Sequence, residues 1–136
     1  MSQENVEIVR RGLDAWNRRD IDTLLADADP GIEYVNSPTA VEPGTRRGVA
    51  EVAAVWRAQW EILLDARFEV DRFFDRGDEI IALGRLSRRM PESDARIDDR
   101  FLGSWRIRNG KVIRVEALGF GRTEVQTALE AAGLRE

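Results

Sequence analysis

The chain has 136 residues, 21 basic and 25 acidic side chains for a net charge of −4, and neither cysteine nor histidine. That length suits one core, so residues 1–136 are read as a single domain. The missing residue types exclude disulfides, thiolate metal sites, cysteine nucleophiles and imidazole chemistry, leaving Asp, Glu, Tyr or a positioned water for any proton transfer.

The basic residues are nearly all arginine, with pairs at Arg10-Arg11, Arg18-Arg19, Arg46-Arg47 and Arg88-Arg89. Scattered through an acidic chain, they read as solvated surface and not as a nucleic-acid footprint. The opening MSQENVEIVRR lacks the apolar stretch of a signal peptide, and apolar runs such as Ile80–Leu83 are too short to span a bilayer. Carboxylates are plentiful but not clustered as metal ligands. The expectation is a soluble, cytoplasmic protein with no metal, no cofactor, no nucleic-acid partner and no membrane partner.

In chain order, Val6, Val9, Leu13 and Trp16 recur at helical spacing, with Gly12 in the same stripe, and predict a helix over 3–18. Asp20 is placed to cap a short helix from Ile21 to about Ala28, stopped by Pro30 and Gly31. Ile32–Asn36 reads as a short strand and Ser37–Arg47, with Pro38, Pro43 and Gly44, as a surface loop. Val49, Val52, Ala53, Trp56, Trp60, Leu63 and Leu64 give a third helix over 48–64 one broad apolar face, which should lie across the sheet.

Strands follow over 66–75 and 79–90, joined at Arg76-Gly77-Asp78, and over 97–108 and 111–120. In the last pair Phe101, Gly103, Trp105 and Ile107 share the apolar face. A two-residue Asn109-Gly110 turn would set Trp105 beside Arg114 and Glu116. A three-residue Arg108-Asn109-Gly110 loop, placing Trp105 beside Ile113 and Phe101 beside Ala117, is therefore expected. Counting across the Pro91–Asp94 turn puts Arg85 near Gly103, on the concave face, and Asp99 near Arg89. Residues 122–132 form a closing helix ended by Gly133. The order predicts an α+β domain with helices against one face of a mostly antiparallel sheet.

Over nearly its whole length the chain resembles the nuclear transport factor 2-like superfamily and, within it, the SnoaL-like proteins. The resemblance is carried by AWNRRD (Ala15–Asp20), EYVNSPTAVEPGTRRG (Glu33–Gly48) and WRIRNGKVIRVEAL (Trp105–Leu118). It implies a cystatin-like cone of curved sheet, packed by three helices from the N-terminal half and a short C-terminal helix, with a pocket inside. It also implies a homodimer through the outer sheet face, here Arg100, Leu102, Arg106, Arg114 and Glu116. The steroid isomerases of the superfamily would place their phenol at Gly12, their base at Tyr34 and their proton-donating acid at Gly103, so that chemistry is absent. Limonene epoxide hydrolase is similar at Tyr34, Asn36 and Arg85, but its two carboxylates would fall at Ser87 and Ala117.

Two readings follow. In the first, Tyr34, Asn36 and Arg85 orient an anionic or carbonyl-bearing ligand in an apolar pocket walled by Trp16, Trp56, Trp60, Phe101 and Trp105, with Asp99 at the mouth. Such a protein binds a small apolar molecule, and if catalytic is a cofactor-independent lyase, isomerase or hydrolase. In the second, it is a non-catalytic binding or homodimeric module: the tryptophans fill the cone, Arg85 pairs with Asp99 or Glu33 or reaches solvent, and Asp99 is solvated. Inward-facing Gly12 and Gly103 either leave cavity volume or admit neighbouring indoles.

Overall fold

The computed structural model describes residues 2–38, 40 and 43–136, so positions 39, 41 and 42 of the predicted 37–47 loop lie outside the described residues. Its elements are α1 (Ser2–Asn17), α2 (Ile21–Ala26), β1 (Ala28–Asn36), β2 (Gly44–Arg47), α3 (Val49–Ile62), β3 (Arg67–Arg76), β4 (Glu79–Arg89), β5 (Arg96–Arg108), β6 (Lys111–Phe120) and α4 (Arg122–Ala131). The strands form one curved sheet in the order β2-β1-β6-β5-β4-β3. Among the described residues, only the β1–β6 pair is parallel.

The local signals act as their chemistry dictates. Asp20 caps α2, its carboxylate accepting from the Thr23 N–H at 3.2 Å and the Thr23 hydroxyl at 2.6 Å. Two elements differ from expectation. β1 begins at Ala28, because a register irregularity between Ala28 and Glu33 lets the chain carry Pro30 and Gly31 along β6. Gly44–Arg47, read as loop, pairs with β1 as a short edge strand.

Asn109 (φ 51°) and Gly110 (φ 76°) form a two-residue turn closed by Arg108 opposite Lys111, not the expected three-residue loop. The parity conflict is resolved further along, where a shift between Arg106 and Ile107 brings Trp105 opposite Val115. A second shift leaves Gly103 opposite Ala117 and Phe101 opposite Phe120, so both predicted partners of this hairpin are corrected.

The β4–β5 register carries the larger correction. Arg85 faces Arg100, not Gly103, and that odd displacement turns every β4 side chain over. Ile80, Ala82, Gly84 and Leu86 therefore share the concave face with Trp105, Gly103, Phe101 and Asp99. Ile81, Leu83, Arg85 and Ser87 take the outer face.

The main core lies between the concave face and α1 and α3, joining Val9, Leu13 and Trp16 to Val52, Val55 and Trp56 and to Ile32, Ile80 and Phe101. α4 is on the other side. Its Val125 and Leu129 cover Phe74, Ile81, Leu83 and Leu102 in a separate cluster, so the helices do not all pack on one face. The C-terminal segment is tied down by Arg72 donating to the Arg135 carbonyl at 3.0 Å and by an Arg100–Glu136 ion pair. Leu102 is only 1 % exposed, and Arg100 is engaged within its own chain, so neither is free on the outer face as expected. Arg106, Arg114 and Glu116 remain at the surface, with Arg114 bridging Glu33 at 3.5 Å and Glu116 at 3.3 Å.

Candidate functional site

α1, α3 and the concave face surround a partly open cavity of about 80 Å³. Tyr34 reaches it from β1, Trp16 from α1, Trp56 from α3, and Phe101 and Trp105 from β5. These five residues, singled out from the sequence, line one space. Phe68 joins them, packing edge-on to Trp16 at 4.6 Å and to Phe101 at 4.8 Å between ring centres. The glycines divide the two roles foreseen for them. A Cβ at Gly12 would meet nothing within 4 Å, so Gly12 leaves room in the cavity wall, whereas a Cβ at Gly103 would lie 2.9 Å from the Trp105 ring, so Gly103 admits that indole.

Four expected members are elsewhere. Arg85 stands on the outer face, its side chain 47 % exposed, paired with Glu69 at 3.1 Å and Asp71 at 3.5 Å. Asp99 is inward in register but beyond the cavity, where Arg88 holds it at 2.7 Å. Asn36 is buried at the end of β1 and accepts from the Ser37 N–H at 3.1 Å, away from the cavity lining. Trp60 packs behind Trp16, donating its indole N–H to the Trp16 carbonyl at 3.0 Å.

The polar centre of the cavity is a short chain of hydrogen bonds. The Trp16 indole donates to Gln59 Oε1 at 3.2 Å, and Gln59 Nε2 donates to the Tyr34 hydroxyl at 3.0 Å. Burial pushes the Tyr34 pKa up and the Gln59 bond only partly offsets it, so the phenol keeps its proton through the neutral range. At the cavity edge, after α2, Asp27 is held by Arg11 at 2.8 Å, which raises the arginine's own pKa. Glu116 also contributes to the wall, but its carboxylate belongs to the outer Arg114 ladder. The arrangement can desolvate an apolar molecule and offer a neutral hydrogen-bond donor. Among the described residues it sets no carboxylate beside that donor to remove a proton.

Gln59 and Asp27 were not singled out from the sequence. Gln59 was findable: it is the polar member of the apolar stripe Val52, Trp56, Gln59, Leu63, where a buried amide needs partners. Asp27 carries no such signal, since one carboxylate just after a short helix is ordinary surface.

A curved six-stranded sheet around a partly open pocket, with N-terminal helices against its concave face, is the nuclear transport factor 2-like fold. Residues 9–115 match the SnoaL-like domain, and the chain belongs to that family. Similar solved structures include a nuclear transport factor 2-like protein of unknown function from Burkholderia pseudomallei K96243, 25 % identical with a TM-score of 0.78, covering 92 % of this chain and 96 % of that one. Another from Burkholderia thailandensis E264 is 27 % identical, with a TM-score of 0.75 over 90 % and 95 % of the two chains. A putative SnoaL-like polyketide cyclase from Jannaschia sp. CCS1 is 20 % identical, with a TM-score of 0.75 over 95 % and 93 %. None of the curated proteins matches the chain.

Proposed function

We propose that this protein binds a compact, largely apolar, carbonyl-bearing small molecule inside its cone. The observation carrying this reading is the cavity of about 80 Å³, walled by aromatic residues and holding the Tyr34 hydroxyl. One water needs roughly 10–15 Å³ of such space, so the cavity admits a small ring with an oxygen substituent. The anionic ligand considered from the sequence is dropped, because Arg85 lies on the opposite face. Cofactor-independent lyase, isomerase or hydrolase chemistry would have to draw on Tyr34 or a bound water as proton carrier. One of the similar structures is described as a putative SnoaL-like polyketide cyclase, in keeping with a small-molecule role.

The rival reading, a non-catalytic module, is favoured by one observation: Trp16 and Trp56 are themselves buried core and fill much of the cone. A thermal-shift screen of small ketones, lactones and quinones on the wild type and on Gly12→Leu separates the two. Ligand stabilisation present in the wild type and lost in the folded variant supports the pocket; equal stabilisation, or none in either, overturns it.

A homodimer through the outer sheet face would use the strip that α4 leaves open, Arg106, Arg114 and Glu116. Sedimentation of the wild type against Arg106→Glu/Arg114→Glu tests it: a dimer that dissociates in the double variant supports it, and a monomeric wild type removes it.

A further inference from the structure

We propose that Gln59 sets the hydrogen-bond polarity of the cavity, so that it selects neutral ligands presenting an acceptor oxygen, such as a cyclic ketone or a small quinone, to Tyr34. This rests on the small-molecule reading above and adds to it a residue and a selection rule.

The indole nitrogen of Trp16 can only donate. Its N–H lies 3.2 Å from the Gln59 side-chain oxygen, which fixes which end of that amide faces Trp16. The amide nitrogen must then face Tyr34, and it does so at 3.0 Å as a donor. The phenol oxygen is thereby an acceptor from Gln59, and its own proton has to point elsewhere. Tyr34 is 9 % exposed, lines the cavity, and has no acceptor for that proton among the described residues. A buried donor without a partner is unfavourable until an acceptor arrives.

The remaining lining agrees. The Gln59 oxygen is already engaged by Trp16, and the Asp27 carboxylate by Arg11. With these oxygens engaged, the Tyr34 hydroxyl is the wall group left holding a proton to donate among the described residues. Among the described residues no lysine or arginine lines the space, so an anionic ligand would enter without a counter-charge.

The test compares cyclohexanone with methylenecyclohexane, which has the same shape but lacks the oxygen, by calorimetry, and follows the carbonyl infrared stretch of the bound ketone. The wild type is expected to prefer the ketone by about tenfold, the ratio that one hydrogen bond of 1.4 kcal/mol provides. Its carbonyl stretch should move to lower frequency. Tyr34→Phe should abolish both the preference and the shift. In Gln59→Glu the carboxylate accepts from both Trp16 and Tyr34, drawing the phenol proton out of the cavity, so the preference should vanish although Tyr34 remains. Equal binding of the two compounds to the wild type, or a preference unchanged in Gln59→Glu, overturns the polarity proposal while leaving the pocket intact. Binding of neither compound overturns the pocket reading as well.

Discussion

The Trp105 indole lies across Gly103: a Cβ built at residue 103 would approach two of its ring carbons at 2.9 Å. Gly103→Ala should therefore displace the indole. Overpacking of this kind costs about 1–3 kcal/mol. A lower urea midpoint with an unchanged slope, together with a shifted tryptophan emission, is the expected result.

Gly12 offers the opposite case, since its Cβ would enter open space in the middle of α1. Gly12→Ala should raise stability by roughly 0.8–1 kcal/mol, the difference in helix propensity between the two residues. Thermal unfolding measures it, and a destabilised variant would mean that the cavity wall is closer than described.

Asn17 ends α1 by pairing with the backbone of Phe68 like a short piece of strand. Its side-chain N–H donates to the Phe68 carbonyl at 2.9 Å and its oxygen accepts the Phe68 N–H at 2.8 Å. Asn17→Ala leaves both backbone groups without this partner, at a cost of about 1–3 kcal/mol. Hydrogen exchange should quicken at the Phe68 amide before it does so in β4 or β5.

Tyr34 is the chain's single tyrosine, so phenolate absorbance reports on it alone. Burial holds its folded pKa above the ordinary value near 10. Below that value both folded and unfolded chains keep the proton. As pH rises past it the unfolded chain releases the proton first, so stability declines towards the folded pKa. Wild type should lose stability in this alkaline window and Tyr34→Phe should lose less. At the acid end Glu33 is held low by its bond to Arg47, Asp65 by Arg89, and Asp20 by the Thr23 hydroxyl. Their contribution is complete above the ordinary carboxylate range near pH 4 and disappears as pH falls through the lowered folded values. Urea midpoints measured against pH should show both declines.

Arg85→Ala removes a pair of ion contacts that are about half exposed and screened by solvent. Its effect should stay within about 0–1 kcal/mol. Ligand-induced stabilisation should be unchanged, because the guanidinium is on the far side of the sheet from the cavity.

The element order apart from β2, and the aromatic half of the site, were legible because each rests on a local pattern. The α1 stripe and the alternation of β5 each name one buried face without reference to any partner. Arg85 was misplaced because its face depends on the β4–β5 register, which is set by the loop at 90–95 where Met90 N–H meets the Ala95 carbonyl at 2.9 Å. An odd miscount across a polar loop reverses a whole strand and leaves its composition unchanged. The β5–β6 hairpin failed differently: the need for Trp105 and the apolar side of β6 to share a face was sound, but the chain met it with a bulge after a tight turn. Gln59 was overlooked because its partners, Trp16 and Tyr34, are distant in sequence, and only the folded arrangement gives its amide a direction.

Helix α4 makes the far side of the sheet a clasped seam. Were its last turn to peel away, with Arg72, Arg76 and Arg100 releasing their holds, the greasy strip of Phe74, Ile81, Leu83 and Leu102 would lie bare beside Arg106 and Arg114. A strip of that kind seeks another molecule to cover it. A tag or cut placed at this end should therefore lower solubility before it affects ligand binding in the cone.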